Sequence, residues 1–250
     1  MTKLNPTYSP VLKYTEWQQI AEFFPTFQMG RPPKWEKWQV INAILYVNRT
    51  GCQWRMLPVN FPPWRTVYFY YWSWQRDGVW QRINDVLVKK VRKQAGRHER
   101  PSAAVIDSQS VKTSEGGEER GVDVHKQTPG RKRHLVVDVL GLVLLVVVHS
   151  ASIQDGAGGL LTLQTLFDHI KHNLHNRWCR LKLIWADGGY PSIIDAVHQR
   201  FGWTLQIVKR SDDVKGFQVL PHRWVVERTF GWLGRYRRLA RDYEHTTLSS

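Results

Sequence analysis

The sequence predicts an α/β domain of mixed strand direction preceded by an all-helical domain. Three observations predict it. The first 95 residues hold eight of the thirteen tryptophans and place apolar residues at helical spacing. Short apolar, β-branched runs then appear at 103–111, 133–151, 181–187 and 204–210. Between and after the later runs the helical spacing returns, giving the order β, ββ, α, β, α, β, α, which is not a regular doubly wound repeat. The expected division is 1–95 helical, 96–103 (GRHERPSA) a polar linker, and 104–250 the α/β domain.

In order, helices are expected at about 14–24, 34–48, 64–76 and 79–94. In the second, Trp38, Ile41, Ala43, Ile44, Leu45 and Val47 mark one apolar face, and Pro32 and Pro33 precede it, where prolines suit a helix start. RTGCQWRMLPVNFPPW (49–64) is a loop with three prolines. Trp64 opens an aromatic helix closed by Gly78, a residue suited to a helix C-terminus. The arrangement resembles a helix-turn-helix, and a helical bundle packing its aromatics together explains it equally well. AAVIDSQSV (103–111) reads as a strand, 113–123 as a charged glycine-rich loop, and 133–151 as a hairpin turning near Leu140-Gly141. A helix follows over 157–176, a strand over 181–187, a helix from Pro191 to Phe201, a strand over 204–210 and a helix over 221–240, with GRYRRLAR continuing it.

Hydrophobic residues make up 42% of 250, enough for a core, and the formal net charge of +15 points to a polyanion such as nucleic acid. The charge is concentrated at the ends: residues 1–100 carry 16 basic and 6 acidic groups, and residues 101–220 carry 14 and 12. Cys52 and Cys179 form neither a disulfide framework nor a zinc pattern, which fits a reducing compartment. The N-terminus has no apolar signal stretch, and the run at 135–148 is too short and too β-branched for a membrane helix. A soluble, cytoplasmic protein is expected.

Two apolar strands meet an acid: AAVID-SQS at Asp107 and LIWAD-GGY at Asp187. A carboxylate on a hydrophobic strand is costly unless compensated. Two on neighbouring strands repel unless a divalent cation lies between them. Either alone also suits a turn or helix cap. Glu227 sits among Trp224, Val225, Phe230 and Trp232, with Arg223 four residues earlier on the same helical face; a surface ion pair reads equally well there. Two strand aspartates and a helix glutamate make a hard oxygen site of the kind used in two-metal phosphoryl transfer. Asp138 and Asp155 are acids that could replace a member of this set. GRKRH (130–134) is either a phosphate-contacting cluster or a solvated turn. His169, His172 and His175 drift around their helix and make no ligand set.

IDSQSVKT (106–113), GRKRHLVVDVLGL (130–142), ADGGY (186–190) and FQVLPHRWVVERTFGWLGRYRRLARDYE (217–244) together resemble the bacterial insertion-sequence transposases of the DDE class, in the insertion-sequence-five group. WRMLP and WRTVYFYYWSWQRDGVW resemble that group's helical DNA-binding region. The resemblance covers nearly the whole chain. It implies an RNase H-like catalytic core with Asp107, Asp187 and Glu227 as its acids, holding two Mg²⁺ ions, with Mn²⁺ a possible substitute. It implies DNA cleavage and strand transfer at insertion-sequence ends, with terminal inverted repeats and target DNA as partners and a homodimer on DNA. Lys126, Arg131, Lys132, Arg133, Arg223, Arg235, Arg237 and Arg238 are the expected DNA-contacting residues, in a bacterial, nucleoid-associated protein. The family signature Tyr-x2-Arg-x3-Glu-x6-Lys is met at Arg223 and Glu227, while Leu220 and Gly234 replace its outer residues. The chain ends at YEHTTLSS where relatives run on, so a C-terminally shortened copy acting as a DNA-binding repressor is the alternative.

Overall fold

The computed structural model describes residues 10–25, 33–114, 117–173, 180–208, 223–247 and 249. In chain order its elements are α1 (Tyr14–Trp17), α2 (Lys37–Thr50), α3 (Trp64–Arg76), α4 (Val79–Gln94), β1 (Ala103–Lys112), β2 (Gly121–Asp123), β3 (Thr128–Asp138), β4 (Val143–Ser150), α5 (Asp155–Asn173), β5 (Leu183–Ala186), α6 (Ile194–Phe201), β6 (Thr204–Ile207), α7 (Arg223–Leu233) and α8 (Arg237–Ala240). No helix among the described residues is long and apolar enough to cross a membrane. Cys179, His175, Leu220 and the ends of the expected 157–176, 204–210 and 221–240 elements lie outside the described residues.

The chain divides into two compact units. One gathers the described residues of Met1–Ile83 with Gly234–Arg241 and Ser249; the other gathers those of Asn84–Leu233 with Asp242–Leu248. The division therefore falls inside α4, ahead of the linker expected at 96–103.

The first unit is helical, as its tryptophan-rich sequence requires. α2 starts with Gln39 accepting a hydrogen bond from the Glu36 backbone N–H at 3.1 Å, and stops at Gly51, whose φ of +72° suits glycine. Val40, Ile44, Phe61, Val67 and Trp74 pack a shared core with Trp17 and Phe24. Phe24 meets Trp74 edge-on at 4.6 Å, a favoured aromatic geometry. The single helix expected over 14–24 is instead the short α1 and a 3₁₀ turn at Ala21–Phe23.

The second unit is built on a mixed sheet. β3 runs antiparallel to β1 on one side and to β4 on the other, with the short β2 hydrogen-bonded to its first residues. β1, β5 and β6 are parallel neighbours. This is the strand order of an RNase H-like core. Alternation along β1 divides its side chains between two layers. Ala104 and Ile106 join Leu163, Ile184, Val197 and Trp203 beneath α5 and α6. Val105 joins Leu135, Val226 and Phe230 beneath α7.

α5 lies close to the sheet because its first turns are glycine-rich. A Cβ on Gly158 would stand 2.5 Å from both His134 Cε1 and His149 Nε2, and one on Gly159 would stand 2.5 Å from the Tyr190 ring. His134 Nδ1 and His149 Nε2 are 2.8 Å apart in that tight space, and burial, then its histidine neighbour, pushes His134 down to about 3. Gly158→Ala is therefore expected to destabilise the protein by about 1–3 kcal/mol, read from denaturant midpoints. An unchanged midpoint would show that the histidines move aside freely.

Candidate active site

The parallel register sets the position of the two strand aspartates. The β1–β5 pairing ends at Val105 with Trp185; two residues beyond it on each chain segment come Asp107 and Asp187, and Asp187 is close enough to act on Asp107 electrostatically. Both share the parity of Val105 and Trp185, which places them on the face covered by α7. The two strands do not end alike. β5 stops at Ala186, whereas β1 continues to Lys112, because β3 still pairs with it opposite Leu135 to Gly130. Asp107 is thus held mid-strand and Asp187 opens a turn. The Ser108 backbone N–H donates to Asp107 Oδ1 at 2.7 Å, and the Gly189 N–H to Asp187 Oδ1 at 2.8 Å.

Burial raises Asp107 to about 6; the Ser108 N–H opposes the rise, Asp187 adds to it, and Arg223 and Lys126 oppose it. The folded protein thus holds this proton more tightly than the unfolded chain. Its contribution to stability is fullest below about pH 4 and declines as pH climbs through about 6. Asp107→Asn is expected to raise stability near pH 8 in chelator by about 1–3 kcal/mol, and to leave it nearly unchanged near pH 4. Thermal melts at the two pH values check this, and an equal effect at both would count against it.

Glu227 approaches this pair through an arginine. Arg223 Nη2 lies 3.4 Å from Glu227 Oε1 and 3.8 Å from Asp187 Oδ2. The Glu227 side chain is 52% exposed on α7. Among the described residues no three acid, histidine or cysteine side chains are grouped as one metal-ligand set. The structure thus brings Asp107 and Asp187 together and ties Glu227 to them by way of Arg223. Two hard carboxylates that act on each other electrostatically, one of them pushed up to about 6 chiefly by burial, are donors of the type a divalent cation takes.

The basic residues expected to meet DNA separate into two groups. Lys126 is exposed, with Nζ 3.4 Å from the Ser108 carbonyl, and Arg235 and Arg237 are exposed. Arg131, Lys132 and Arg133 are only 0%, 4% and 5% exposed. The strand begins five residues earlier than expected, at Thr128, so GRKRH is an interior strand segment and not a solvated or phosphate-facing turn. Arg131 binds Asp242 Oδ2 at 3.0 Å and the carbonyls of Glu118, Glu244, His245 and Thr246. Lys132 binds Asp155 Oδ1 at 2.8 Å and the Ile153 carbonyl at 3.0 Å. Arg238 is also buried, donating to the Cys52 carbonyl and lying over Trp54. The α7 helix stops at Leu233 and α8 starts after a turn, so GRYRRLAR does not continue it.

Of the two reserve acids, Asp138 is structural. It is fully buried, pairs with Arg92 of α4, and accepts the Leu140 and Leu142 N–H groups of the hairpin turn at 2.9 Å each. Asp155 belongs to the site's surroundings. Ser108 Oγ donates to its Oδ1 at 2.9 Å, and the ideal Cβ position of Gly189 is 3.3 Å from its Oδ2. Burial raises its carboxyl, but Lys132 and Ser108 hold it below the usual range. Tyr190, fully buried, is raised by burial and then by Asp107, Asp155 and Asp187. The QDGAGG run is the sequence signal for this corner, since closely spaced glycines at a helix start mark a close approach.

A mixed sheet of this order flanked by helices is the RNase H-like class of core. Residues 98–246 match the family model described as the transposase DDE domain, and the chain belongs to that family. Residues 12–84 match the putative transposase of the IS4/5 family. The chain is similar to a putative transposase for insertion sequence element IS402 of Burkholderia cepacia, 30% identical over 116 residues, 46% of this chain and 54% of that protein. It is also similar to an uncharacterized 16.2 kDa protein of the same element, 33% identical over 131 residues, 48% of this chain and 82% of that protein. The chain thus spans about half the length of the first of these relatives. Among solved structures, a pre-cleavage Mos1 transpososome aligns at a TM-score of 0.31 and 13% identity, over 93% of this chain and 75% of that one. A Mos1 transposase paired-end complex with the left transposon end aligns at 0.28 and 10%, over 90% and 83%.

Proposed function

We propose that the protein is a DNA transposase that cuts DNA at the ends of its insertion sequence and joins the freed 3′-hydroxyl to a target. The placing of Asp107 on β1 and Asp187 just past the end of its parallel neighbour β5, each acid two residues beyond the paired Val105 and Trp185, within a transposase DDE family member, carries this reading. Asp107, Asp187 and Glu227 would hold two Mg²⁺ ions, or Mn²⁺ in their place. Bound there, such ions would supply charge neutralisation at the scissile phosphate and would lower the pKa of the attacking hydroxyl. The chain's own groups do the rest. Asp107 loses its proton by neutral pH and keeps its orientation through the Ser108 N–H. Arg223 holds Glu227 towards Asp187. Lys126 and Arg223 offer positive charge to phosphate oxygens. The first unit would recognise terminal inverted repeats, Arg235 and Arg237 would contact phosphates, and two copies would act together on cytoplasmic, nucleoid DNA.

The test is incubation with Mg²⁺ and a plasmid bearing the element's ends. End-specific nicking followed by joined products is the expected result. Binding without nicking under Mg²⁺ and Mn²⁺ overturns the reading in favour of a repressor, and cutting without end preference favours a plain nuclease.

A further inference from the structure

Ser108 spans the sheet at the site. Its backbone N–H serves Asp107 on the α7 face at 2.7 Å, and its hydroxyl reaches Asp155 on the α5 face at 2.9 Å. Alternation requires this split, because Ser108 shares the parity of Ala104 and Ile106. On the same face Lys132 sets its ammonium against Asp155 at 2.8 Å and Asp123 at 3.4 Å, both ion pairs within the protein's interior or partly so. Ser110 and the Lys126 N–H complete the shell of Asp123, which burial raises but these partners and Lys132 bring down to about 2. Asp155 is carried in by a helix whose Gly156, Gly158 and Gly159 have no room for a Cβ, so its approach is fixed by packing. A second observation lies on the same face, where Tyr190 packs against α5. The Tyr190 hydroxyl is buried with no well-formed hydrogen bond, and Asp107, Asp155 and Asp187 all act on it electrostatically.

We propose that Asp155 is a positioning residue of the site: with Lys132 as its counter-ion it fixes Ser108, and Ser108 fixes Asp107 for cation binding from across the sheet. This rests on the reading of Asp107 and Asp187 as cation ligands. The roles are distinct. Asp155 lies on the opposite face from Asp107 and acts through the serine. Hydrogen bonds that orient a metal-binding carboxylate typically alter metal affinity by about 10–100-fold when removed.

The experiment titrates the full-length protein with Mn²⁺ alone and follows free ion by paramagnetic resonance, with melting curves in chelator beside it. Asp155→Asn and Ser108→Ala are each expected to weaken Mn²⁺ binding by about three- to tenfold, at or below the lower end of the about 10–100-fold typical of a ligand's own hydrogen bond because the Ser108 N–H stays on Asp107, while Ser108→Thr, which keeps the hydroxyl, retains the parent affinity. Ser108→Ala leaves the Lys132–Asp155 pair in place, so its chelator melt stays near the parent value and it decides the matter if Asp155→Asn fails to fold. Parent-like Mn²⁺ affinity in Ser108→Ala overturns this inference and leaves the catalytic reading standing. Absence of Mn²⁺ binding by the parent protein overturns both.

Discussion

Asp107→Asn and Asp187→Asn are each expected to lower strand cleavage and joining by about a thousandfold or more, with folding and DNA binding retained. The side chains of the two residues are isosteric with their replacements, and each carboxylate keeps one backbone N–H partner whose geometry an amide oxygen can also satisfy. What the substitution removes is negative charge where the proposed cations would sit, and losses of one such electrostatic group cost about 10²–10³ in turnover before any cooperation between groups. Glu227→Gln is expected to act in the same direction. Its carboxylate reaches Asp187 through Arg223 at 3.4 and 3.8 Å, so Arg223→Ala should lower activity as well, by freeing Glu227 from its place. Cleavage and joining assays in Mg²⁺, run beside DNA-binding titrations, check the set. Turnover near the parent level in any one of these variants removes that residue from the site.

Arg131→Ala carries the largest expected effect on stability. The side chain is 0% exposed and its pairing partner Asp242 is 1% exposed at the side chain. Its guanidinium also holds the Glu118 carbonyl at 2.6 Å and the His245 carbonyl at 2.7 Å, which ties residues 242–246 onto β3. Truncation takes the guanidinium away from the buried Asp242 carboxylate and from several carbonyls, and breaking a buried pair from one side costs about 3–5 kcal/mol. Urea unfolding should show that loss. A change under about 1 kcal/mol, with DNA affinity reduced instead, would return Arg131 to the phosphate-contacting role that its sequence setting implies.

The Arg131 result also marks where sequence reading loses its hold. GRKRH is five residues of mostly basic character, and on composition it belongs at a surface. It is interior because β3 is paired on both sides and because Asp155, Asp123, Asp242 and the 242–246 carbonyls converge on it from distant parts of the chain. No local pattern records those partners. The same holds for Ser108: its dual service follows from strand parity, which the sequence contains, and from the arrival of α5, which it does not. Conversely, α3 and α4 begin and end where their spacing predicts, at Trp64–Arg76 and Val79–Gln94, since aromatic periodicity and Gly78 are local signals. The single 14–24 helix was not met, because the Phe24 ring turns inward to Trp17 and Trp74 and the chain bends to allow it.

The sequence by itself determined the basic helical segment, the order of strands and helices after it except for β2, read as loop, and the break between α7 and α8, and the acids at Asp107, Asp187 and Glu227 as the chemistry worth following. These are properties of neighbouring residues: spacing, charge and the anomaly of an acid in an apolar run. Only the tertiary structure decided that Asp107 and Asp187 lie just past the end of the parallel β1–β5 pairing, that Arg223 links Glu227 to Asp187, and that Arg131 and Lys132 are interior counter-ions. Those outcomes depend on strand register and on which carboxylates fold against which cations, and an interaction between groups 50 or 100 residues apart leaves no imprint on the residues beside either one.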